Sequence, residues 1–69
     1  MANTRQVLKC ADKSGVYTVV YHESDKFNPY WIYKHTWERT EYGYYTERKR
    51  LQEKYGDMKS CLYHIAQVI

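Results

Sequence analysis

Asp57-Met58-Lys59-Ser60-Cys61-Leu62-Tyr63-His64-Ile65-Ala66-Gln67-Val68-Ile69 closes the chain and decides how everything before it is read. Met58, Cys61, Leu62, Ile65, Ala66 and Ile69 recur at three- and four-residue spacing, with Lys59, Tyr63 and Gln67 opposite. That is the period of an amphipathic helix. Asp57 stands at the N-cap position, where its carboxylate can accept a backbone N–H and face the positive helix end. So short a helix is marginal in isolation, so its apolar stripe needs a surface to lie on. Leu62 and Ile65 are therefore expected in the core, and Lys59 and Tyr63 in solvent.

The surface lies upstream and reads as β-sheet. After four frayed residues, Arg5-Gln6-Val7-Leu8-Lys9-Cys10-Ala11 is compatible with an edge strand, and Asp12-Lys13-Ser14-Gly15 with a tight turn. Val16-Tyr17-Thr18-Val19-Val20-Tyr21-His22 is an unbroken run of β-branched and aromatic residues. Glu23 to Pro29 is a polar loop ended by Asn28-Pro29, and Tyr30 to Trp37 is a third strand. Glu38 to Gly43 reads as a loop. Tyr44 to Tyr55 is contested. Its centre consists of good helix formers, yet Tyr44, Tyr45, Leu51 and Tyr55 make too thin a stripe for a core-facing helix. Pattern outweighs propensity, which favours a fourth strand with Arg48, Arg50, Gln52 and Lys54 on one side.

The expected fold is α+β: a small antiparallel β-meander of three to four strands packed on one C-terminal amphipathic helix, with residues 1–69 as a single domain. At 69 residues the chain is near the lower size at which a lone core suffices, so dimerisation or partner binding is expected to matter. One helix covers only one sheet face. Both strand parities carry apolar or aromatic residues, so under any register some remain on the bare side. Nine Tyr, two Trp and one Phe supply them. Such a face is a protein interface, a set of solvent-tolerant tyrosines, or a base-stacking platform.

The remaining signals mostly exclude. A net charge of +3, with acids inside the most basic run, permits a nucleic-acid partner without requiring one. His22, His35, His64, Cys10 and Cys61 show no metal-ligand spacing, so no metal or cofactor is expected. Cys61 and His64 could neighbour each other on the helix, but no orienting third group or oxyanion loop is evident. The acids are scattered singly and the three Gly form no phosphate loop, so the chain reads as non-enzymatic. No apolar h-region or bilayer-length run occurs, which places the protein in the cytoplasm, away from membranes, with reduced cysteines.

The leading expectation is a small non-catalytic binding protein of adaptor or inhibitor type, such as viruses and mobile elements encode. It would occupy a macromolecular surface, foremost a protein's. Trp31, Tyr33 and Trp37 are its expected anchors, with Arg48, Arg50 and Lys54 for orientation. The alternative is a sequence-tolerant nucleic-acid binder using the Arg48/Arg50/Lys54 stripe with Tyr and Trp stacking. Self-association through the bare face is the third reading.

Overall fold

The computed structural model describes residues 3–12 and 15–68. Four strands, β1 (Thr4–Asp12), β2 (Gly15–His22), β3 (Tyr30–Arg39) and β4 (Tyr45–Tyr55), precede one helix, α1 (Met58–Val68). The strands form a single antiparallel sheet in the order β1-β2-β3-β4. The expected α+β meander with a terminal helix is therefore the observed one, and the contested segment is a strand over Tyr45–Tyr55. The expected first turn falls on Lys13 and Ser14, outside the described residues, as do Met1, Ala2 and Ile69.

Register fixes the two faces. Tyr17, Val19 and Tyr21 of β2 meet Cys10, Leu8 and Arg5 on one side and Lys34, Ile32 and Tyr30 on the other. Directly opposed residues share a face. This face receives α1, and its core is Tyr17, Val19, Ile32, Cys61 and Ile65, with Tyr30, Tyr55 and Met58 packed at the margin. A bulge between Gln6 and Leu8 on β1 delivers both Val7 and Leu8 to this cluster, where strict alternation would deliver one.

The helix starts where expected: the Ser60 backbone N–H donates to Asp57 Oδ1 at 2.9 Å. Bonds from the Ser60 side chain and backbone hold the Asp57 carboxyl below the usual carboxylate range. The Tyr55 hydroxyl pairs with His64 Nδ1 at 2.8 Å, tying the end of β4 to the middle of α1. Cys61 is fully buried, and desolvation pushes its thiol up to about 11, which leaves it an inert core group. Cys10 and Cys61 are both free.

One core assignment is corrected. Leu62 is 49% exposed, and Ala66 is exposed as well. The helix packs over β3 and β4 on the narrow line Met58–Cys61–Ile65, and Leu62 lies one residue round the helix from it. A wide apolar stripe in sequence has met a narrow strip of sheet.

Two other local rules hold. Gly15 has φ +157° and sits against β3, so a Cβ there would overlap the His35 carbonyl. The β3–β4 connection closes with Gly43 at φ +86°, its N–H donating to the Thr40 carbonyl at 3.0 Å. Ile65→Ala should cost roughly 2–5 kcal/mol in chemical denaturation, most of the stability of so small a domain. Leu62→Ala should cost about 1 kcal/mol or less. Gly15→Ala should destabilise by about 1 kcal/mol or more, through the blocked approach to β3.

Candidate functional site

The face that α1 leaves bare is built from the other parity. Val16, Thr18 and Val20 of β2 pair with His35, Tyr33 and Trp31 of β3, which in turn face Lys49, Leu51 and Lys54 of β4. The shift from Lys49 and Leu51 to Lys54 breaks strand parity. A bulge opposite the Ile32–Tyr33 step admits Gln52 as an extra residue, and this returns Lys54 to the bare face.

The expected site residues divide accordingly. Trp31, Tyr33, Trp37 and Lys54 come together on the bare face. Arg48 and Arg50 oppose Thr36 and Lys34 on the helix side of the sheet, and both pair with Glu38, at 3.3 and 3.1 Å. The anticipated Arg48/Arg50/Lys54 stripe does not exist, because the bulge resets the alternation between Arg50 and Lys54.

Trp31 is the most constrained ring. In the preceding loop, Asp25 Oδ1 accepts the Phe27 and Asn28 N–H groups at 3.2 and 3.0 Å. The Asn28 carbonyl then accepts the Trp31 indole N–H at 2.7 Å. His22 stacks on the indole at 3.6 Å from the β2 side, and Lys54 Nζ lies 4.0 Å from its centroid from the β4 side. Lys49 Nζ similarly sits 4.3 Å from the Tyr33 centroid, and the Tyr33 hydroxyl reaches His22 Nε2 at 3.3 Å. These cations are held by aromatic faces rather than by carboxylates. Partial burial raises the Tyr33 phenol above its ordinary pKa. By contrast Trp37 is 53% exposed, and Leu51 and Tyr45 on the same face are also open to solvent.

Beside this cluster lies a relay that the sequence did not disclose. His35 Nδ1 bonds Glu47 Oε1, and His35 Nε2 meets Thr18 Oγ1 at 2.9 Å. The order matches nucleophile, base and orienting acid. Thr18, however, is only 4% exposed and sits in a central strand whose N–H groups are committed to the ladder. The arrangement satisfies buried polar groups and fixes the imidazole. It eluded sequence reading because Thr18, His35 and Glu47 lie on three strands whose mutual register has no local signal.

The relay residues line a shallow cavity of about 170 Å3 together with Val16 and Trp37 and with Gln6 and Lys9 of β1. Among the described residues no group of three or more His, Cys, Asp or Glu could hold a metal ion, and no helix is long and apolar enough to cross a membrane. No protein-family model, curated protein or solved structure matches the chain.

His22 reports on the cluster. Desolvation, then the charges of Lys49 and Lys54, hold its imidazole below the ordinary value, against a weaker opposing pull from Asp25. With the folded pKa below the unfolded one, this contribution to stability is complete above about pH 6.5 and declines as pH falls towards the folded pKa. In an NMR titration His22 should show a depressed midpoint. Lys49→Gln and Lys54→Gln should each move it part of the way back, since desolvation remains.

Proposed function

We propose that the chain is a non-catalytic binding protein of adaptor or inhibitor type that docks its bare sheet face on a protein partner. The observation that carries this reading is the exposed Trp37, Tyr45 and Leu51 on the side that α1 does not shelter. Rigid rings inside and accessible apolar groups outside suit a contact surface whose ordering cost on binding is small. Trp31 serves as a brace within that surface, Tyr33 as its half-buried centre, and Trp37 as the accessible anchor. Arg48 and Arg50 face away and take no part in the same contact. Two free cysteines fit a reducing, cytoplasmic setting.

The nucleic-acid alternative draws support from Lys49 and Lys54 beside aromatic rings. Its difficulty is that stacking needs open ring faces. Trp31 is enclosed between His22 and Lys54, and Tyr33 is capped by Lys49, which leaves stacking to the exposed rings of Trp37 and Tyr45. Self-association through this face would set like charges against each other, since Lys9, Lys49 and Lys54 all lie on it.

Affinity capture from source cells, with and without nuclease, tests the reading. A nuclease-resistant protein should be retained by the native chain and by an Arg48→Ala/Arg50→Ala variant. It should fall at least tenfold with Trp37→Ala/Leu51→Ala, with little change in Tm. Loss of the captured material on nuclease treatment, or equal capture by both variants, would overturn the proposal.

A further inference from the structure

Two rings of the bare face stand apart from the others. Trp37 and Tyr45 are diagonal neighbours across the β3–β4 ladder, since Trp37 opposes Glu47 and Tyr45 opposes Arg39. They are 53% and 70% exposed, and among the described residues neither packs on the other or has a further ring or a cation stacked on it. Trp31 and Tyr33, by contrast, are covered from within the chain by His22, Lys54 and Lys49. Two neighbouring rings without such partners leave a slot for an apolar, ring-shaped group.

Charge at this slot selects no ion. Glu47, directly across from Trp37, is half-exposed and keeps one carboxylate oxygen free of His35. Lys9 shares the lining of the adjoining cavity with Glu47, and Arg39 opposes Tyr45. Both signs are within reach of any guest, so neither an anion nor a cation gains a one-sided field. Hydrogen bonding is less even. The Trp37 indole N–H, the Gln6 amide, the Lys9 ammonium and the Arg39 guanidinium make no side-chain hydrogen bond among the described residues, and all can donate. Against them stand the free oxygen of Glu47 and the amide oxygen of Gln6. The guest that uses this set is uncharged, apolar in its side chains and rich in acceptors.

A proline-rich segment in the polyproline II conformation has these properties. Its carbonyls make no internal hydrogen bonds, its prolines carry no N–H, and its preformed backbone has little freedom to lose on docking. We infer that the slot between Trp37 and Tyr45, with the cavity of about 170 Å3 beside Trp37, takes such a segment of the protein partner. Prolyl rings lie against the two aromatic rings, and carbonyls turn to the Trp37 indole N–H. This rests on the bare face being the docking surface and names what that surface grips. A nucleic-acid strand fits less well, because each stacked base would bring a phosphate towards the free oxygen of Glu47.

The test uses the isotopically labelled full chain and three probes: capped hexaproline, the flexible peptide acetyl-Gly-Ser-Gly-Ser-Gly-Ser-amide, and an oligothymidylate of six nucleotides. Hexaproline should produce saturable NMR shifts at the Trp37 indole N–H and the Tyr45 ring, and should bind at least fivefold more tightly than either other probe. Its affinity should stay within about twofold as salt is raised, since no counterions are released. Trp37→Ala and Tyr45→Ala, both at exposed positions, should keep the native spectrum and each lose at least fivefold in hexaproline affinity. Tyr63→Ala, as exposed as Tyr45 but on α1, should lose nothing. Equal binding of hexaproline and the Gly-Ser peptide, tighter binding of the oligothymidylate, or an unchanged hexaproline affinity in either ring variant would overturn the assignment. Should that happen while Trp37→Ala/Leu51→Ala still loses its captured protein, the docking reading survives and only the proline assignment falls. Should hexaproline bind as expected while Trp37→Ala/Leu51→Ala retains the captured protein, both readings fall.

Discussion

Three side chains with no solvent exposure, Val19 on β2, Ile32 on β3 and Cys61 on α1, join the two layers of this molecule. Val19 and Ile32 face each other across the central ladder, and Cys61 belongs to the cluster over them. Tyr17 and Ile65 complete the buried apolar set among the described residues. A chain of this size has little surplus stability, so each of these contacts is a large share of the whole. The helix has no independent footing: its N-cap, the Tyr55–His64 bond and this small cluster hold it together.

That economy sets the character of the two sides. The helix shelters one end of its face, and the remainder there is polar, with Lys34, Arg48, Arg50 and Glu38. The other face must manage without a cover. It does so by packing its rings against one another and against lysine side chains, leaving open chiefly Trp37, Leu51 and the β3–β4 hairpin, with Tyr42, Tyr44 and Tyr45. Charged residues along β4 and its bulge also deter pairing at that sheet edge.

Much of this was legible in the residues. Unbroken β-branched and aromatic runs announced β2 and β3, Asp57 announced the helix start, and the excess of rings over what one helix covers announced a bare aromatic side. Trp31, Tyr33 and Trp37 share that side because β3 alternates without interruption. What failed did so where geometry is non-local. The Gln52 bulge dissolved the basic stripe, since alternation cannot foresee an inserted residue. Leu62 fell outside the core because sequence shows how wide an apolar stripe is, not how much sheet lies beneath it. The Thr18–His35–Glu47 relay and its Lys9 neighbour required the register of all four strands.

Thinness has a consequence for how such a protein can change over generations. Its smallest dimension is 15 Å, and neighbouring residues of one strand serve opposite layers: Thr18 supports His35 while Val19 fills the core. Through most of the sheet, the proposed contact face and the core therefore draw on the same backbone, and a substitution that retunes one disturbs the other. The exception is the outer part of the β3–β4 hairpin. From Trp37 to Arg39 it extends past the start of β2, where Gly15 lies beside His35 and Thr36, and it is paired there with β4. Evolutionary latitude is greatest there, so a lineage exchanging one target for another would rewrite that projecting tip first.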